Sequence, residues 1–237
     1  MPTFNAYVDG FNLFKGALER RPKLKWLDVW TLCEHLLPNQ ELQKVYYFTS
    51  RIRRRFEGDK APDRQNLYLR ILENSGVNLV FGRTERNENW VRVASQKRKE
   101  IIKPEIDSFL GLTQKVINRT FVRARPDVPK ALVKTFGEKG TDVNIASLLL
   151  RDHFKNEFST ALLISGDSDL VTPVEILVND LREIHVVIPN NGQGNLRFKK
   201  ACESVEFLDL GLVASCQFPD KVISPKGKIL RRPDEWV

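Results

Sequence analysis

Ala161-Leu162-Leu163-Ile164 is apolar at every position, and Ile184 to Ile188 is nearly so. A run this short with no polar alternate offers no face to water. It is buried on both sides, as strands are in a parallel sheet covered by two helical layers. Similar runs recur along the chain, each followed by residues at helical spacing. Phe4, Ala6 and Val8 alternate into Asp9 before a helical stretch, and Trp26-Leu27-Asp28 leads into another with Trp30, Cys33, Leu36 and Leu37, which Pro38 stops. Val45 to Phe48 is a short apolar strand ending in Thr49-Ser50. A helix through Leu67, Leu69, Ile71 and Leu72 then reaches a break at Gly76, ahead of a strand from Val77 to Phe81. Ala131-Leu132-Val133 reads as a further strand, and Thr141 is a good N-cap for a helix through Val143, Ala146, Leu149 and Leu150. This alternation predicts an α/β fold, a three-layer sandwich around a mostly parallel central sheet.

With 237 residues and 41% hydrophobic content, the chain can bury a full core as one domain over residues 1–210, with 211–237 as a C-terminal extension. Residues 84–130 break the alternation. Between Arg86 and Lys130 stand eleven Lys/Arg against five Asp/Glu, and Pro104 suits the first turn of an amphipathic helix carrying Ile106, Phe109, Leu110, Val116 and Ile117. A basic helical insertion is expected there, its charged face either solvated or used as an arm on nucleic acid. The net charge of +8 makes a polyanion a natural partner, and a second basic knot lies at Arg51, Arg53, Arg54 and Arg55. The insertion and the C-terminal tail are also the expected docking surfaces for a protein partner or a second copy. Cys33, Cys202 and Cys216 lack CxxC spacing and nearby His, so buried thiols in a reducing cytoplasm are expected rather than disulfides or zinc. The N-terminus runs straight into a strand pattern, and no apolar stretch is long enough for a bilayer. A soluble, uncleaved protein with no membrane partner is expected.

Three acidic clusters close or follow predicted strands: Tyr7-Val8-Asp9-Gly10-Phe11-Asn12, Lys139-Gly140-Thr141-Asp142 and Ile164-Ser165-Gly166-Asp167-Ser168-Asp169. In an open parallel sheet the ligand crevice lies outside the carboxyl ends of the strands, so carboxylates placed there converge. Packed together they repel, and a hard divalent cation is the usual way to neutralise them. Each cluster also has an ordinary structural reading. Asp9-Gly10 is turn chemistry, Asp142 suits the positive end of a helix, and Asp169 can cap one. Taken as a set, they indicate a metal-dependent hydrolytic site, with the basic segments holding phosphates beside it.

The three clusters resemble the motifs of the NYN branch of the PIN-like nucleases. That family carries Asp-x-x-Asn after its first strand, Lys-Gly-x-Asp opening a central helix and Ser-Gly-Asp-x-Asp after a late strand. They correspond to Asp9 with Asn12, Lys139 to Asp142, and Ser165 to Asp169, and the likeness spans residues 4–208 outside the insertion. The resemblance implies a PIN-like fold and ribonuclease action dependent on Mg²⁺ or Mn²⁺, on RNA or on single-stranded DNA. It implies Asp9, Asp142, Asp167 and Asp169 as metal-binding and catalytic residues, joined by Asn12. Asp9 and Asp167 would be the direct ligands, and Asp142 and Asp169 would act through water. Ser165 and Lys139 join Arg53, Arg54 and Arg55 as substrate contacts. His35, His153 and His185 fall inside predicted helices or a strand and are read as structural. The competing functions are a catalytically weak nucleic-acid-binding regulator on the same fold and a small-molecule phosphohydrolase. Against the latter, Asp9-Gly10-Phe11-Asn12 lacks the second Asp that aspartyl-phosphate phosphatases carry two residues on.

Overall fold

The computed structural model describes residues 1–54, 56–92, 130–189 and 196–237, with the side chains of 85–92, 130–137 and 196 excepted. In chain order the elements begin with β1 (Thr3–Asp9), α1 (Gly10–Leu13), α2 (Val29–Leu36), β2 (Glu41–Thr49), α3 (Ala61–Asn74) and β3 (Asn78–Phe81). Then come β4 (Arg83–Arg92), β5 (Lys130–Lys139), α4 (Thr141–Phe154), β6 (Thr160–Ile164), α5 (Val171–Asn179) and β7 (Glu183–Ile188). The chain continues with α6 (Leu196–Ala201), β8 (Val205–Phe207), α7 (Leu210–Ser215), β9 (Lys221–Ile223) and β10 (Ile229–Arg231).

Six strands form one sheet in the order β3-β2-β1-β6-β7-β8, and every neighbouring pair is parallel. The strand order therefore reverses between β1 and β6, and the crevice of such a sheet opens at this point, beyond the carboxyl ends. The pleat divides the core into two layers. Phe4, Ala6 and Val8 of β1 and Leu162 and Ile164 of β6 pack with α2, α3, α7 and the C-terminal residues. Tyr7, Ala161 and Leu163 face the other way, onto Ile145 and Leu149 of α4 and Val174 and Leu177 of α5. The result is the expected three-layer α/β sandwich. Cys33, Cys202 and Cys216 are free and buried, as expected. Among the described residues no helix is long and apolar enough to cross a membrane.

The structure corrects two expectations. The insertion is not helical at its two ends: β4 and β5 pair antiparallel without a break from Arg83↔Lys139 to Arg92↔Lys130, and Arg83–Lys139 forms a compact unit of its own. Ala131–Val133 is a strand, but it belongs to this ribbon and not to the parallel sheet. The helix expected through Ile106 and Ile117 lies outside the described residues. Second, Gly140, not Thr141, caps α4; its φ of +86° is a left-handed conformation that suits glycine. Residues 217–237, expected as an ordered tail or small extension, add side chains to the core. Phe218, Leu230 and Trp236 are buried in the first core layer, where Trp236 packs against Trp26 and Tyr68 with ring centroids 5.9 and 6.1 Å apart.

Candidate active site at the carboxyl edge of the sheet

Asp9 is the last residue of β1, and pleat parity points its side chain to the same face as Tyr7, toward the α4 layer. It is 4% exposed. Its Oδ1 accepts from the Asn12 backbone N–H at 2.9 Å, capping α1. Its Oδ2 accepts from the Ser165 hydroxyl at 2.9 Å, across the β1/β6 reversal. Ser165 Oγ in turn accepts from the Asp167 N–H at 3.1 Å. Asn12 completes the tie, because its Oδ1 accepts from the Gly166 N–H at 3.0 Å. Two of these hydrogen bonds join the two strand-end loops, and the other two brace each loop internally. Gly10 is required by close approach. A Cβ there would lie 2.5 Å from Tyr47 Cζ and 2.7 Å from the Phe48 carbonyl oxygen of β2.

Beyond this tie stand the other aspartates. Asp167 caps a short 3-10 turn, its Oδ1 accepting from the Asp169 N–H at 3.0 Å. Asp142 lies in the first turn of α4. Burial raises its carboxyl above the ordinary aspartate value, and the charges of Asp167 and then Asp169 raise it further; the Asp142 backbone amide alone opposes them. The fold therefore brings Asp142, Asp167 and Asp169 within electrostatic reach, with repulsion between like charges on the described side chains. A donor set of oxygen ligands under mutual repulsion suits a hard divalent cation. Among the described residues no three His, Cys, Asp or Glu side chains stand close enough to hold an ion as they are. The fit is therefore one of donor chemistry and charge. Asp9 is compatible with it, since a carboxylate has about four acceptor sites.

The expected substrate contacts are more dispersed. Arg53 is exposed on the loop after β2, while Arg54 grips both oxygens of Asp63 at 3.0 and 2.9 Å. Arg55 lies outside the described residues. Lys139 is exposed and closes β5 in the ribbon unit. The histidines sit in structural networks, as read from the sequence. His153 lies between Asp180 and Arg182, His185 between Glu183 and Ser204, and His35 meets the Thr31 carbonyl. Two participants escaped the sequence reading, the Gly166 amide and the close approach at Gly10. A glycine directly after a strand-end aspartate was the available signal for the second.

Residues 110–210 match the family model described as the NYN domain. Among curated proteins, 6-hydroxy-3-succinoylpyridine 3-monooxygenase HspA of Pseudomonas putida is 26% identical over 256 aligned positions, which cover 97% of this chain and 74% of that protein. Among solved structures, a protein of unknown function from Vibrio parahaemolyticus aligns with a TM-score of 0.46 and 13% identity, over 88% of this chain and 93% of that one. The segment 110–210, which contains the second and third acidic motifs, matches the NYN domain, the family that all three motifs resemble.

Proposed function

We propose that the chain is a metal-dependent nuclease that hydrolyses phosphodiester bonds of RNA at the carboxyl edge of its sheet. The observation that carries this reading is the placement of Asp142 at the start of α4 and of Asp167 and Asp169 after β6, within electrostatic reach of one another beside the strand-order reversal. The NYN match supports it by pointing to a nuclease-like activity. Asp142, Asp167 and Asp169 would hold Mg²⁺ or Mn²⁺, with Asp9 adjoining. When bound, the cation supplies activation of water and stabilisation of charge on the phosphate. The rest falls to the protein. Asp9, Ser165 and Asn12 tie the two loops that carry the site, and the partial burial of Asp142 strengthens its interaction with nearby charge. Basic side chains such as Arg53 hold the phosphate backbone.

The relative named as a monooxygenase supplies a second reading, oxidation of a heteroaromatic acid, because its likeness runs over 97% of the chain. A dinucleotide reductant at the β1/β6 reversal would call for a glycine-rich turn with open amides at the start of α1. Here Asp9 places a carboxylate on the Asn12 amide at that position. The arrangement favours the nuclease reading.

Asparagine at 167 keeps the acceptor used by the Asp169 amide while removing the charge. Asp167→Asn is therefore expected to melt like the wild type and to lose cleavage roughly 10²–10³-fold, the scale of removing one group that stabilises developing charge. The assay compares structured RNA, single-stranded DNA, a phosphomonoester and 6-hydroxy-3-succinoylpyridine with NADH, each with Mn²⁺ and with a chelator. Wild-type turnover by Asp167→Asn on RNA, or cleavage indifferent to chelation, would overturn the proposal.

A further inference from the structure

Burying a phenylalanine is worth roughly 1.5–3 kcal/mol, yet three rings at one edge of the sheet stay substantially exposed. Phe11, Phe81 and Phe207 are 40%, 38% and 39% exposed. Phe11 follows β1 directly in α1, Phe81 ends β3 and Phe207 ends β8. Because all six strands are parallel, these rings share the carboxyl edge with the aspartates. Phe81 is tied to the site by its carbonyl, which accepts from the side-chain amide of Asn144, two residues past Asp142, at 3.4 Å. Each ring also carries a cation over its face. Lys15 Nζ lies 5.6 Å from the centroid of Phe11, Arg51 Cζ 4.6 Å from that of Phe81 and Lys199 Nζ 5.4 Å from that of Phe207. Phe154 is also exposed but lies at the far end of α4, away from this edge.

We infer that Phe11, Phe81 and Phe207, with Lys15, Arg51 and Lys199, form a stacking track that takes an unpaired strand of RNA along the carboxyl edge. Unpaired bases stack on aromatic faces while cations track the phosphates. A base pair in a duplex has its faces already covered. Strands lie about 4.8 Å apart, so the five spacings from β3 to β8 span roughly 24 Å, the reach of a few nucleotides. The aspartates lie near the middle of that span, next to β1 and β6. Phe81 pairs with Thr49 and Phe207 with Ile188, which sets the two rings on opposite faces of the sheet, so a strand that reaches both crosses the carboxyl edge near the aspartates. The inference rests on the nuclease reading for the identity of the polymer, and it names the conformation that polymer must have.

The test uses the full chain carrying Asp167→Asn, so that bound RNA stays intact, and a fluorescent octauridylate read by anisotropy. Phe11→Ala, Phe81→Ala and Phe207→Ala are each expected to weaken binding about five- to a hundredfold, the scale of one base stacked on one ring. The matching Phe→Leu variants keep apolar bulk without a π face and are expected to weaken it comparably. Phe→Trp should restore it. A duplex of the same length should bind more weakly than the single strand. Leucine variants that bind like the phenylalanine parent would show rings merely covered by lysine and arginine stems, and would overturn the track. Equal or tighter binding of the duplex, or tighter binding of the matching DNA strand, would overturn it as well. Cleavage by the otherwise wild-type chain is scored separately. RNA cleaved with ring-independent binding sinks the track alone. RNA left uncut sinks the nuclease reading, and the anisotropy series then judges the track by itself.

Discussion

Burial, with the charges of Asp167 and Asp169 behind it, makes Asp142 hold its proton more tightly than an ordinary aspartate. This sets the sign of a pH effect. The folded state binds more protons than the unfolded one between the ordinary value of 3.8 and the raised folded value. Stability contributed by this group is therefore full below 3.8, falls as pH rises through that window, and stays lower above it. Melting temperature measured from about pH 3 to about pH 7 should decline more for wild type than for Asp142→Asn, which has no charge to create. Mn²⁺ should restore the loss, and its binding should strengthen with pH as protons are displaced. Parallel curves for the two proteins, or no restoration by Mn²⁺, would count against the prediction. At this scale the sequence was informative, because a cluster of carboxylates at strand ends is visible as residue types in order. The division of labour was not. Nothing in Ser165-Gly166-Asp167 announces that the serine hydroxyl joins Asp9 to the Asp167 amide, since that depends on the β1/β6 register.

Between β1 and α1 the chain turns against β2 with no room for a side chain at Gly10. Gly10→Ala must displace either the Tyr47 ring or the Phe48 backbone, and is expected to cost about 1–3 kcal/mol in denaturant unfolding, as overpacking generally does. A loss within about 0.5 kcal/mol, the ordinary range of surface changes, would show that Tyr47 swings clear. Elements of the parallel sheet were legible because burial on both faces leaves runs such as Ala161 to Ile164 with no polar positions. The ribbon was not. Arg83-Thr-Glu-Arg-Asn-Glu-Asn-Trp-Val-Arg92 has neither an apolar run nor alternation, and a strand whose signal lies in pairing with residues 130–139 carries no period of its own. Gly140 shows the same limit at a helix start: Thr141 has the chemistry of a cap, but the left-handed turn that sets where α4 begins is a property of the backbone.

Across the whole molecule, the first core layer is closed by residues far apart in sequence. Trp236, 9% exposed, lies against Trp26 and Tyr68, and Trp236→Ala is expected to cost about 3 kcal/mol, the lower end for removing a large aromatic. A midpoint shift near zero in urea would return residues 217–237 to the status of an appendage. Their part in the core was not readable, because prolines and a few scattered aromatics follow no helical or strand period. Their partner, Trp26, donates its indole N–H to the Pro219 carbonyl 193 positions later, and its own carbonyl accepts from the Phe218 N–H. That arrangement imposes an order in time. As the chain leaves the ribosome, β1 and α2 emerge long before residues 217–237, and until then Trp26 lacks Phe218 and Trp236 against its ring. Only about two hundred residues later does that cover arrive, so a chain cut short before Phe218 lacks two of the rings and the carbonyl that close over Trp26, and its tryptophan emission should report the loss.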